Sequence, residues 1–193
     1  ITEVEENYLT VREITINDIK LVSDYWFNAS DQYLSEMGVD LAKIQQRQDF
    51  TQILKKQISL PYEKKKSYAL IWLIDKMPVG HCNLNNITFG KKATMHLHLW
   101  NARYRHKGIG YELLKISLPW FFDNLNLEQI ICEPYALNIA PNRTLAKLGF
   151  KFEKEYTTIP GAINFEQDVK RWVLPKRLFS RLEPEIYDCG CGD

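Results

Sequence analysis

The order of apolar and polar positions divides the chain into alternating strand-like and helix-like segments. Tyr8 to Ile14 alternates and carries β-branched residues, which predicts a first strand, and Asn17-Asp18 then offer side-chain oxygens suited to opening a helix. That helix runs through Ile19, Leu21, Val22, Tyr25, Trp26 and Phe27. Ser30 to Gln48 is polar, with a break at Met37-Gly38-Val39. It leads into a second helix with Phe50, Ile53, Leu54, Gln57 and Ile58 at helical spacing, ended by Pro61. Ser67 to Ile74 is then a strongly apolar run, Asp75-Lys76-Met77-Pro78 reads as a turn, and Val79 to Leu84 returns as the second arm of a hairpin. In Ala93 to Trp100, Met95, Leu97 and Leu99 alternate with Thr94, His96, His98 and Trp100, so the two faces of this strand differ chemically.

Gly108 to Asn124 is helical in pattern, with Pro119 predicting a kink or an early stop. Ile130 to Cys132 is a short buried strand, and Pro141 to Leu148 a short helix closed by Gly149. Phe150 to Ile159 and Phe165 to Leu174 are two last strands joined around Pro160-Gly161. Strand, two helices, three strands, helix, strand, helix and two strands make an α/β (α+β) chain with no internal repeat and no linker. The 193 residues suit one substantial core, with the domain expected over 1–178 and a tail over 179–193.

Charge narrows the partners. Lys and Arg total 25 against 24 for Asp and Glu, so no net field favours nucleic acid or an anionic membrane, and the lysine clusters at 55–56, 64–66 and 91–92 are short and separate. No apolar run approaches the length of a membrane helix, and the first residues are acidic rather than signal-like, so a cytoplasmic protein is expected. Cys82, Cys132, Cys189 and Cys191 do not have zinc-site spacing, and reduced thiols with no bound metal are expected.

The strongest chemical signal is Arg105-His106-Lys107-Gly108-Ile109-Gly110, between the strand ending at Trp100 and the next helix. Glycines there let the turn fold closely and leave backbone N–H groups bare, and the helix adds unpaired N–H groups and the positive end of its dipole. Arg105 and Lys107 add charge suited to a pyrophosphate, so a nucleotide-like ligand is implied.

The hexapeptide resembles the R/Q-x-x-G-x-G/A signature of the GNAT superfamily of N-acetyltransferases, and it follows a fourth strand, as in that family. Asn138 to Phe150, NIAPNRTLAKLGF, resembles the N-x-A-S-x-R-x-L-x-K-x-G-F helix of the ribosomal-protein N-acetyltransferase branch, the RimJ/RimL-like enzymes. The resemblance implies the GNAT fold: a mixed, mostly antiparallel sheet of about seven strands, helices on both faces, and splayed middle strands. It implies acetyl-CoA as co-substrate, a primary amine as acceptor, either a protein N-terminus or a small molecule, and direct attack in a ternary complex. Proteins of this fold often form dimers, so a homodimer is open.

By the same resemblance, Arg105, His106, Lys107, Gly108, Ile109, Gly110 and Tyr111 hold the coenzyme A pyrophosphate. Asn138 bonds the pantetheine arm, and backbone groups of His98, Leu99 and Trp100 pair with that arm. The pattern's Ser is Pro141 here, which leaves Asn142 as the candidate substitute.

Transfer to nitrogen needs a neutral amine, so a proton acceptor is sought. Glu133 stands where the strand Ile130–Cys132 should diverge from its neighbour. His98 or His96, on the strand that lines the cofactor, is the other candidate; Glu133 has the stronger position and His98 the better pKa, and His81 could lie beside either histidine. The tyrosine that many relatives use as general acid is Leu145 here, which leaves Tyr135 as the nearby candidate. Each has a bland alternative: Glu133 before Pro134 as a strand end, the histidines and Tyr135 as packing residues, and Tyr25, Trp26, Phe27 and Tyr33 as core rather than an acceptor wall. The rival reading of the whole chain is an acyl-CoA-binding regulatory module without catalysis.

Overall fold

A computed structural model describes residues 8–182. Seven strands form one sheet in the order β1-β2-β3-β4-β5-β7-β6. These are β1 (Leu9–Glu13), β2 (Tyr68–Ile74), β3 (Met77–Thr88), β4 (Lys92–Leu99), β5 (Gln129–Cys132), β6 (Lys151–Thr158) and β7 (Gln167–Pro175). The helices are α1 (Ile19–Phe27), α2 (Asp31–Glu36), α3 (Arg47–Ser59), α4 (Ile109–Asn124), α5 (Ile139–Lys147) and α6 (Lys176–Leu182). Every strand pair is antiparallel except β4–β5.

The hydrophobic pattern decides which side of the sheet each helix covers. β2 is buried along its whole length because it is packed on both faces. Leu70, Trp72, Cys82, Leu84 and Met95 turn to one face, where they meet Leu113, Leu114, Leu118, Phe121 and Phe122 of α4, together with α5 and α6. Ile71 and Leu73 turn to the other, where Val22 and Trp26 of α1 and Phe50 and Leu54 of α3 cover them. Trp72 Nε1 donates to Ser117 Oγ at 2.9 Å, and that hydroxyl donates to the Leu113 carbonyl at 2.8 Å, so the buried indole N–H is satisfied and α4 is keyed to β2.

The β2–β3 turn is tighter than expected: only Asp75 and Lys76 form it, with φ of 49° and 68°, and β3 starts at Met77. α4 runs through Pro119 without stopping. The proline forfeits one bond to the Lys115 carbonyl, while Leu118, Phe121 and Phe122 around it are at most 2% exposed and hold the helix to the sheet. α2 lies in the polar stretch where only a break was expected, started by Ser30, whose Oγ accepts from Tyr33 N. α6 occupies the start of the expected tail: Phe179 is buried and stacks on Phe122 at 4.9 Å between ring centroids. Cys189 and Cys191 lie outside the described residues.

Candidate active site

The middle of the sheet opens. β4 and β5 pair only at Lys92–Gln129, Ala93–Ile130 and Thr94–Ile131. Beyond that apex β4 continues to Leu99 paired with β3 but, among the described residues, with no strand on its β5 side, and Cys132 fills the apex by donating from Sγ to the Met95 carbonyl at 3.2 Å. Burial pushes the Cys132 thiol up to about 12, which suits a packing residue rather than a nucleophile.

Strand geometry selects which backbone groups face the opening. The Trp100 N–H donates to Val79 O at 2.9 Å, on the β3 side, and main-chain directions alternate along a strand. His98, opposite His81, therefore turns its main chain to β3 as well. Of the three residues expected to pair with a ligand arm, only Leu99 faces the opening, and Leu97, not singled out from the sequence, faces it too. Its signal was available in the alternation itself.

At the far end of the opening α4 begins. Gly108 is its N-cap with φ of +77°, and His106 also has a positive φ, 60°. The first helical bond is Glu112 N to Gly108 O, and among the described residues the N–H groups of His106, Lys107, Gly108, Ile109, Gly110 and Tyr111 have no protein acceptor. A Cβ built on Gly108 meets nothing within 4 Å, and one on Gly110 meets only Leu99 Cδ1 at 3.7 Å. The turn is thus an open concavity of bare amides at a helix N-terminus, which suits a pyrophosphate.

The basic residues are placed less uniformly. Lys107 and His106 are exposed beside the concavity. Arg105 folds back instead: its guanidinium donates to Leu99 O at 2.9 Å and to Tyr33 Oη at 2.6 Å, and lies over the Tyr33 ring. It ties the turn to the end of β4 and to α2. Lys147 of α5 stands 4.1 Å from the Tyr111 ring centroid, a second cation at the first turn of α4 to which the sequence pattern assigned no role.

Asn138 is the N-cap of α5 and is half-buried. Asn142 is not available to a ligand: its Nδ2 donates to the carbonyls of Asn138 (2.8 Å) and Tyr135 (3.2 Å), and its Oδ1 accepts from Trp172 Nε1 at 2.8 Å. It fastens the loop before α5 to β7.

On the face of β3–β4 covered by α1 and α3 lies a cavity of about 340 Å³. Its floor holds His81 and His98, paired across the strands, and next to them Asn83 and His96. The His81 and His98 rings stack at 4.7 Å. Trp100 Nε1 donates to His81 Nδ1 at 2.8 Å, and because an indole N–H only donates, neutral His81 carries its proton on Nε2. His98 Nδ1 meets Tyr25 Oη at 3.1 Å, and Tyr25 meets Tyr33 at 3.2 Å, so a chain of hydrogen bonds runs from Arg105 through Tyr33 and Tyr25 to His98, its two tyrosines lying more than 70 residues earlier in the sequence than the groups they join. Burial pushes His81 down to about 3, and burial followed by its histidine neighbours and Arg105 holds His98 well below the usual imidazole range.

His96 differs. It lines the cavity, has no hydrogen-bond partner among the described residues, and lies closest in sequence to the apex at Met95. Burial lowers it to about 4, opposed by the nearby Glu133 charge. Its ring keeps access to the cavity while protein encloses it on the other sides, so it is neutral at pH 7 with a free nitrogen.

Glu133 sits at the end of β5 as expected, but its Oε1 already accepts from Arg171 at 2.8 Å and from the Tyr156 hydroxyl. An amine reaching that oxygen would have to displace one of them. Tyr135 is not brought to the histidines: it bridges to Val169, packs edge-on against Phe165, and lines a separate shallow depression. Among the described residues no group of three or more His, Cys, Asp or Glu is arranged to hold a metal ion, and no helix is long and apolar enough to cross a membrane.

A family profile described as "Acetyltransferase (GNAT) domain" matches residues 8–151. The chain belongs to this family. GNAT acetyltransferases use acetyl-CoA, and the bare amides at α4, the open space over Gly108 and the unpaired β4 edge fit that molecule's pyrophosphate and amide-bearing arm.

Among solved structures, a mutant form of the spermidine/spermine N-acetyltransferase SpeG from Vibrio cholerae is similar at a TM-score of 0.70 and 16% identity, over 90% of this chain and 97% of that one. The aminoglycoside acetyltransferase AAC(6')-Ib with coenzyme A gives 0.66 and 16%, over 90% and 98%. The ribosomal L7/L12 α-N-protein acetyltransferase RimL with coenzyme A gives 0.69 and 12%, over 86% and 93%. These likenesses show the GNAT fold. No curated protein matches the sequence.

Proposed function

We propose that this GNAT chain is an N-acetyltransferase that moves the acetyl group of acetyl-CoA directly onto a primary amine, either a protein N-terminus or a small molecule, with both substrates bound together. The carrying observation is the convergence of three features: the bare amides at α4, the unpaired edge of β4, and a cavity with a free imidazole beside the apex. When bound, acetyl-CoA supplies an acyl thioester open to attack by nitrogen.

The residues divide the work by position. The N–H groups of residues 106–111 hold the pyrophosphate, with Lys107 and Lys147 adding positive charge. Leu97 and Leu99 would offer main-chain groups to the arm, Leu99 through its N–H because Arg105 holds its carbonyl, and the opening leads along β4 from α4 to the apex near His96. Asn138, the N-cap of α5, keeps in this reading the arm-binding role that the resemblance implies.

In this reading the proton acceptor is His96 rather than His98 or Glu133, because it lines the cavity beside the apex with neither ring nitrogen engaged, whereas Tyr25 holds His98 Nδ1 and Arg171 and Tyr156 hold Glu133 Oε1. The Glu133 charge favours the imidazolium that forms, and the apolar walls favour the neutral amine that must attack. The segment Asn138–Phe150 supports placing the chain near the ribosomal-protein branch, and the substitution of Pro141 for that pattern's Ser weighs the other way.

The test is thiol release: purified protein, acetyl-CoA and a panel of monoamines and peptide N-termini should give amine-dependent free coenzyme A. Protection of the fold by coenzyme A, with no thiol released from any amine, would instead make the chain a non-catalytic acyl-CoA-binding module.

A further inference from the structure

The walls of the cavity bear on the kind of amine that enters it, provided the acetyl transfer proposed above takes place there. Trp26 of α1 and Phe50, Leu54 and Ile58 of α3 face its interior, opposite the polar floor. Among the described residues that line it, none is Asp or Glu, and the single ammonium is Lys65. Lys65 is itself occupied: its Nζ donates to Gln57 O at 2.5 Å and Ile58 O at 3.1 Å, closing the C-terminal end of α3.

The floor continues from His96 and Asn83 to Asn85, and the side-chain amides of Asn83 and Asn85 have no partner among the described residues while keeping access to the cavity. Neutral amides and imidazoles can hydrogen-bond one ammonium or its free base, but they cannot neutralise a second cation taken out of water. A polycation would also bring its extra charge toward Lys65. An acceptor with one nitrogen avoids both costs, and the same apolar enclosure helps it shed the proton it must lose before attacking. At about 340 Å³ the cavity stands at the small end of the roughly 300–1,000 Å³ range of small-molecule sites.

We propose that the acceptor is a monoamine: one primary amine on an uncharged, largely apolar body, seated between α1, α3 and the β3–β4 face with its nitrogen at His96 and any neutral polar group at Asn83 and Asn85. Polyamines and aminoglycosides, which carry several ammonium groups, are disfavoured by the same walls.

The experiment compares hexylamine with 1,6-diaminohexane, which share a chain and differ only by a second cation. Titration calorimetry with coenzyme A-loaded protein should show hexylamine binding at least tenfold tighter, and thiol release with acetyl-CoA should follow the same order. Equal or tighter binding of the diamine overturns the monoamine assignment, and so does the absence of binding by both. Hexylamine binding without thiol release leaves the monoamine seat standing and overturns the acetyl-transfer reading. A second arm uses Asn83→Asp, which puts a carboxylate on the floor and should strengthen diamine binding at least fivefold over wild type. No gain in a variant that still binds coenzyme A would show that the missing carboxylate does not set the preference.

Discussion

Replacing Gly108 with alanine separates the cost of backbone strain from the cost of blocking the amide concavity. Gly108 has φ of +77° and ψ of −9°, a conformation that costs an L-residue about 1–2 kcal/mol. For a chain of this size that lowers Tm by about 2–4 °C per kcal/mol. Nothing lies within 4 Å of the added Cβ, so the free protein suffers strain but no clash. The bound pyrophosphate would occupy that space, and coenzyme A should bind at least about tenfold more weakly, about 1.4 kcal/mol. At a concentration one hundred times the wild-type Kd, coenzyme A stabilises wild type by about 2.7 kcal/mol and the variant by only about 1.4 kcal/mol. Gly110→Ala is the control: its Cβ meets only Leu99 Cδ1 at an ordinary 3.7 Å, and alanine in a helix gains up to about 1 kcal/mol over glycine. It should melt higher and keep its coenzyme A affinity. Thermal melts with and without coenzyme A read both effects, and a Gly108→Ala protein with the wild-type ligand-induced shift would refute the concavity.

Further outcomes follow from the same geometry. His96→Gln keeps a polar side chain on the cavity floor but removes the proposed proton acceptor, so kcat should fall by about 100-fold with little change in KM for acetyl-CoA; an unchanged kcat would strike His96 from the mechanism. His81 and His96 are held at about 3 and about 4, below the ordinary 6.5, so the unfolded chain takes up more protons between those values. Stability should be complete above about pH 6.5 and fall as the pH drops toward 4, by up to about 1.4 kcal/mol per pH unit for each histidine. Urea melts at several pH values check this, and a flat profile between pH 6.5 and 4.5 would contradict the enclosure of both rings. Asn142→Ala should cost about 1–3 kcal/mol by leaving the Trp172 N–H without an acceptor, and a variant as stable as wild type in urea would show that the bond contributes nothing.

The sequence carried the succession of strands along the chain well because each strand had a distinct signature. The continuous apolar run of β2 marks a strand covered on both sides, and the alternation in β4 already separated Met95 from His96 and His98. The close turn before α4 was legible from its glycines, and Gly108 takes the positive φ that such a turn needs, although glycines beside basic residues also recur in turns made only for packing. What the sequence could not show was where long side chains go after the turn is made. Arg105 reads as a phosphate ligand by its charge, yet its guanidinium reaches Leu99 and Tyr33, and Tyr33 belongs to a helix 72 residues earlier. Asn142 reads as a cofactor donor by its place in the pattern, yet Trp172 and two carbonyls engage it. The engagement of Glu133 by Arg171 likewise depends on β7 lying against β5, a pairing that only tertiary structure supplies.

The account rests on backbone amides gripping coenzyme A along β4 and at the start of α4. Amide hydrogen exchange followed residue by residue, with and without coenzyme A, addresses this directly. The N–H groups of Leu97, Leu99 and residues 106–111 should slow strongly on addition of the ligand, and those of α3 should not. Protection elsewhere in the protein with those amides unchanged would place the ligand outside the opening and contradict the account.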